Sequence, residues 1–118
     1  MSSRLKSRLW VEALLRRCQG EGKFGAVVST GADEAGTVYV AINHLNGTYD
    51  LLGPPAGPSH NDQGEKIFRK ALAAPAPWED LRSYLEKQRK FDSDIWVVEV
   101  EDRSGLAGLN PVSESIQT

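Results

Sequence analysis

Asp94-Ile95-Trp96-Val97-Val98-Glu99-Val100-Glu101-Asp102 is the stretch whose reading decides the fold. Its four successive large apolar residues, Ile95 to Val98, are mostly β-branched and read as a strand wetted on neither face. Such a strand belongs in the middle of a sheet. From Val98 onward the pattern alternates, with Trp96, Val98 and Val100 on one face and Ile95, Val97, Glu99 and Glu101 on the other. The second half is therefore expected to keep one acidic face in water.

Immediately before this strand, Trp78, Leu81, Tyr84, Leu85 and Gln88 recur at helical spacing toward Phe91, with Pro77 placed as a first helical residue. Another helix is predicted ahead of it. Asp62 with Glu65 resembles a capping pair, and Ile67, Phe68, Ala71 and Leu72 make a buried stripe ended near Pro75. Gly53 to His60 has too many prolines and glycines to pair or coil, so it reads as an exposed connection. Upstream, Asn46-Gly47 signals a two-residue hairpin turn between strands Thr37 to Leu45 and Thr48 to Leu52. In that register Asn43 faces Asp50 and Ala41 faces Leu52, leaving Val38, Val40, Ile42, Tyr49 and Leu51 on the core face. Phe24 to Ser29 reads as a further strand. A first helix is predicted from an N-cap at Ser7, with Trp10, Val11, Leu14, Leu15 and Cys18 as its apolar stripe, stopped by Gly20 and Gly22.

These elements predict an α+β fold: a mostly antiparallel four-stranded sheet with three helices packed on one face. The last strand is expected to insert beside Phe24 to Ser29 or Thr37 to Leu45. Residues 1–103 form one domain in this reading, and 104–118, where apolar periodicity ends, a loose tail. With 118 residues, 40% hydrophobic and 25% charged, one core is expected. Cys18 is the sole cysteine, so no internal disulfide is available. The basic, interrupted N-terminal segment does not read as a signal peptide, and no window is apolar enough to span a membrane. A cytoplasmic protein without membrane contact is expected.

The chemical motifs fail on inspection. Gly20-Glu21-Gly22-Lys23-Phe24-Gly25-Ala26-Val27 matches a glycine-rich phosphate loop, yet the glycines close a helix and open a strand, and Asn43 stands where a kinase needs lysine. Cys18 sits near a helix C-terminus, where the dipole opposes a thiolate, so it reads as a small buried hydrophobe rather than a nucleophile for His44 or His60. Two histidines and one cysteine make no zinc spacing. Asp92, Asp94, Glu99, Glu101 and Asp102 lack a loop that would wrap a cation. No catalytic, metal or cofactor set is assigned, and the chain reads as a non-enzyme.

Charge is separated along the chain. Met1 to Cys18 is net +4 and Glu65 to Lys90 net +3, whereas Gln19 to Gly64 is net −4 and Phe91 to Thr118 net −5. With all helices on one face, the domain would be basic on its helical side and acidic around sheet and tail. Arg8, Arg16, Arg17, Lys87, Arg89, Lys90, Glu99 and Glu101 are the candidate interaction surface. A non-enzymatic interaction module with a protein partner is the leading reading. Nucleic-acid binding through those basic residues with Arg4 and Lys6 is disfavoured by a pI near 5.7. The third reading is a small-ligand domain or enzyme whose pocket lies under the loop 53–60, with His60 and Asp62 as its polar groups.

Leu9-Trp10-Val11-Glu12-Ala13-Leu14-Leu15-Arg16-Arg17, Glu34-Ala35-Gly36-Thr37-Val38-Tyr39-Val40, Leu52-Gly53-Pro54, and Arg89 through Phe91-Asp92-Ser93-Asp94-Ile95-Trp96 to Glu101-Asp102 together resemble a family of small bacterial proteins, domain of unknown function family 1491. The resemblance covers Arg4 to Arg103, with Ser93 where that family's pattern has proline. It implies a cytoplasmic bacterial protein of single-domain form and carries no activity with it.

Overall fold

The run that organises the chain is the inner strand β5 (Trp96–Glu101) of a five-stranded mixed sheet in the computed structural model, which describes residues 6–112. On one side β5 pairs antiparallel with β1 (Gly25–Ser29), and on the other it runs parallel to β2 (Val38–Asn43), with Val98 beside both Val27 and Val40. Beyond β2 come β3 (Tyr49–Gly53) and the two-residue β4 (Arg69–Lys70), giving the order β1-β5-β2-β3-β4. The last strand, expected beside one or the other of β1 and β2, thus pairs with both.

Two helices, α1 (Ser7–Gly20) and α2 (Trp78–Arg89), cover the sheet from opposite sides. Trp96, Val98 and Val100 pack with Val11, Leu14 and Cys18 of α1, while Ile95 and Val97 pack with Leu81 and Leu85 of α2. This corrects the expected four-stranded antiparallel sheet with three helices on one face. The physical reason lies in β5 itself: Ile95 and Val97 are 2% and 0% exposed, and burial of each such side chain stabilises by about 1.5–3 kcal/mol. A one-sided helical layer would leave both in water.

The hairpin differs by one residue from its expected register. Asn43 pairs with Tyr49 and Ile42 with Asp50, because Leu45 joins Asn46 and Gly47 in the loop, with φ of +60° at Leu45 and +89° at Gly47. The Asn46 carboxamide oxygen accepts from the Thr48 amide at 3.0 Å and hydroxyl at 2.7 Å. A slip of one residue moves every side chain of the returning strand to the other face. Tyr49 and Leu51 accordingly lie in the α2 layer, and Leu52 in the α1 layer.

The helix expected from Asp62 to Pro75 is absent. Asn61, not Asp62, organises a tight hairpin here: its side-chain oxygen accepts from the Gln63 and Glu65 amides at 3.0 and 2.9 Å, and Gly64 turns with φ +81°. The chain then runs extended. Phe68 faces α1 and meets Trp10 with ring centroids 5.2 Å apart, whereas Ala71 and Leu72 face α2. An apolar spacing suited to a helix stripe is divided between the two faces of the sheet instead.

Beyond β5, residues 104–112 turn back over the α1 layer. Ala107 is fully buried, Leu106 and Leu109 pack against the same core, and the Val112 amide donates to the Phe68 carbonyl at 2.7 Å. The rest of the expected tail, 113–118, lies outside the described residues, as does Arg4. No helix among the described residues is long and apolar enough to cross a membrane.

Candidate functional site

Ser7 was expected to cap α1, but it is the first helical residue and faces inward at 3% exposure. Its hydroxyl donates to the Gly36 carbonyl at 2.6 Å, its amide to the Glu34 carbonyl at 3.3 Å, and the Arg8 amide to the Asp33 carbonyl at 3.0 Å. The start of α1 is thus fastened to the segment that leads into β2. Opposite stands the 59–67 hairpin, closed by the Ile67 amide donating to the Ser59 carbonyl at 3.0 Å and by bridging of His60 with Lys66.

Between these two walls lies a cavity of about 500 Å³. Val38, Ile67, Phe68 and Pro54 give it apolar lining; Lys6, Lys66, His60 and Glu34 supply its ionisable groups, with Ser59 and Thr37 as hydroxyls. A volume in this range accommodates a drug-sized molecule. The walls are set by backbone and buried hydroxyl hydrogen bonds, which fix the shape of the cavity.

A second polar cluster sits at the far end of β2. His44 places Nε2 2.9 Å from Asp50 Oδ2 and Nδ1 2.8 Å from the Asp102 carbonyl. Both neighbours are acceptors, so a ring that donates from both nitrogens, the imidazolium, is favoured. Burial pulls the pKa of His44 down, but its bond to Asp50, its bond to the Asp102 carbonyl and the charge of both acids outweigh that and leave it raised. Asp50 is 4% exposed; its Oδ1 has no hydrogen bond, and Lys70 Nζ stands 3.9 Å away. The Asp102 carboxylate collects the amides of Gly105 at 3.1 Å and Ala107 at 2.9 Å. Burial pushes its pKa up, and these amides, with Ser104 and Lys23, bring it below the ordinary value. This cluster holds the 102–107 turn against β2 and β3.

The residues singled out from charge do not form one layer. Arg8 is bound to Asp33 at 2.9 Å and lies over the Trp96 ring at 5.7 Å. Arg17 donates to the Ala107 carbonyl at 2.6 Å and pairs with Glu21 at 3.3 Å. Arg16 is exposed on α1, whereas Lys87, Arg89 and Lys90 belong to the end of α2 on the opposite side of the sheet. Glu99 is half-buried and accepts from Asn43 at 3.0 Å, with half-buried Glu101 on the same face. Cys18 is buried, and burial pushes its thiol pKa up, with Arg17 pulling the other way. His60 lines the cavity beneath the 53–60 loop, while Asp62 is exposed and outside that lining. Ser7, Gly36 and Lys66 are not site residues in the sequence reading, and Lys6 is one only for nucleic acid; they meet because strands and helix converge, and no spacing announces it.

A family model described as protein of unknown function (DUF1491) matches residues 5–110. No curated protein matches the chain. Among solved structures, the solution structure of protein Atu0922 from A. tumefaciens is 36% identical, covers 96% of this chain and 98% of its own, and superposes with a TM-score of 0.81. The crystal structure of a DUF1491 family protein from Caulobacter crescentus CB15 is 32% identical over 95% of this chain and 100% of its own, with a TM-score of 0.75. The NMR structure of a DUF1491 family protein from the same organism gives 34%, 97%, 100% and 0.73 for the same quantities.

Proposed function

The chain belongs to the DUF1491 family of proteins of unknown function, and from its cavity we propose a non-enzymatic domain that binds a small organic anion with an apolar body. The observation that carries the reading is the cavity of about 500 Å³ lined by Lys6 and Lys66 together with the apolar Val38, Ile67 and Phe68, with Glu34 as the one carboxylate among the described lining residues. Two ammonium groups beside low-dielectric walls favour a negative headgroup, and the walls favour a hydrocarbon or ring behind it. The positive end of α1 adds to the same potential, although its first amides are already taken by the Glu34 and Asp33 carbonyls. A carboxylate and a phosphate monoester share this chemistry.

Thermal unfolding of the full chain with matched probes tests it. At ten times its dissociation constant a ligand stabilises by about 1.4 kcal/mol, which raises the melting temperature of a chain this size by roughly 5 °C. Hexanoate or hexyl phosphate is expected to give this rise, and whichever acts names the headgroup. Hexanamide, neutral and of similar shape, is expected to act far more weakly, and Lys66→Ala to diminish the anion effect several-fold. Equal stabilisation by hexanamide and hexanoate, or none by either anion, contradicts the proposal.

A further inference from the structure

The two edges of the sheet are built differently. At one, β4 is two residues long and both are basic, Arg69 and Lys70; short, charged strands are the usual protection against strand addition. The other edge, β1, has no such charge. From Phe24 to Ala32 the sequence is Phe-Gly-Ala-Val-Val-Ser-Thr-Gly-Ala, without a charged residue or a proline. Phe24, Val27 and Val28 are 64%, 40% and 49% exposed, although each is large and apolar.

Backbone polarity on this edge follows from one bond. The Glu101 amide donates to the Phe24 carbonyl at 2.8 Å, so Phe24 faces β5, and by the alternation of an antiparallel ladder Ala26 does too. Gly25 and Val27 therefore turn their amides and carbonyls outward. The ladder is regular from Gly25 to Val27 and shifts between Val27 and Ser29, where Val28 is the extra residue.

We propose that β1 pairs antiparallel with the β1 of a second copy of this chain, through the outward groups of Gly25 and Val27. The net charge at the two ends of the run favours both an antiparallel direction and a second copy as the partner. Before the uncharged run Arg17 and Lys23 share Glu21, each at 3.3 Å, for a net charge of +1, and after it Asp33, bound to Arg8 at 2.9 Å, and Glu34 leave a net −1. Antiparallel pairing of two such runs brings the positive end of each toward the negative end of the other, whereas a parallel pairing opposes like charges. A two-fold axis between the strands makes the contact self-complementary. Phe24 then lies opposite Val28 of the other copy, and Val27 opposite Gly25 of it, instead of in water. This inference is independent of the cavity and of its ligand.

The test is the solution mass of the full chain by sedimentation or light scattering from micromolar to millimolar concentration, with amide exchange at both ends of the range. A mass rising from 12.9 kDa toward twice that value is expected, with the Gly25 and Val27 amides becoming at least tenfold more protected as it rises. Val27→Lys places a charge on the edge, as β4 has, and is expected to return the single-chain mass. Should that variant fold poorly, the exchange of the two wild-type amides still decides. A single-chain mass at every concentration overturns the proposal, and so does a dimer in which those amides exchange as fast as in the monomer.

Discussion

His44 should make the protein lose stability as pH rises above the ring's ordinary pKa of 6.5 and through the raised folded pKa, and substituting it should remove that slope. Both ring nitrogens face acceptors, at 2.9 Å from Asp50 and 2.8 Å from the Asp102 carbonyl, and the His44 and Asp50 side chains are only 11% and 5% exposed. The folded pKa of His44 lies above its ordinary value of 6.5. Its stabilising contribution is therefore fully present below that value and disappears as pH climbs through the raised folded pKa. Removing the imidazole outright is more severe, because Asp50 Oδ1 already lacks a hydrogen bond and Lys70, 45% exposed, stands 3.9 Å away. His44→Ala leaves a buried carboxylate without its partner, a change that costs about 3–5 kcal/mol in comparable pairs. The assay is urea unfolding of wild type and His44→Gln at half-unit steps from pH 5 to 9; their difference isolates His44 from His60. A wild-type advantage that stays constant or grows with pH over this range would refute the reasoning. Asp102 acts with the opposite sign: its folded pKa lies below 3.8, so its contribution is present above that value and fades as pH falls through the folded pKa.

Trp96→Ala is expected to cost about 3–5 kcal/mol by calorimetry, since the side chain is 2% exposed and its indole N–H donates to the Ala32 carbonyl at 2.7 Å; a loss under about 1 kcal/mol would contradict its central place. Gly36→Ala places a methyl 2.6 Å from the Asp94 carbonyl oxygen and 2.9 Å from Ala32 backbone atoms, and overpacking of this kind costs about 1–3 kcal/mol; an unchanged melting temperature would count against the packing of the cavity wall. Arg17→Met removes the 2.6 Å bond to the Ala107 carbonyl, a charge-assisted bond of about 1.5–3 kcal/mol. Faster amide exchange at Ala107 and Leu109 is expected, with the α2 amides unaffected.

The central strand was legible in its sequence because burial on both faces forces an unbroken apolar run, and Ile95 to Val98 has one. Which layers cover that run was not, since apolar pattern marks the buried face of each helix but does not say to which side of the sheet the connection carries it. The Asn46-Gly47 turn was legible too, whereas its length was not: Leu45, a residue that rarely takes positive φ, joined the loop and moved Tyr49 and Leu51 to the other face. That same slip hid the His44 and Asp50 pair. Asp62 and Glu65 have the spacing of a capping box, but Asn61 and Gly64 meet the demands of a tight hairpin better, and the expected helix gave way to it. Of the candidate site, the Gly53 to His60 loop and His60 itself were readable from proline, glycine and histidine content. Lys6, Ser7, Gly36 and Lys66 were not, because only the closing of α1 against the entry to β2 and the 59–67 hairpin brings them to one cavity.

The most direct measurement of the central claim, that the cavity takes a small organic anion, is an amide chemical-shift map of the full chain titrated with hexanoate. Saturable shifts are expected at Ser7, Gly36, Thr37, Val38 and the 66–68 segment, residues far apart in sequence that meet only around the cavity. Shifts that never saturate, or that centre on α2 and leave these residues unmoved, would contradict it.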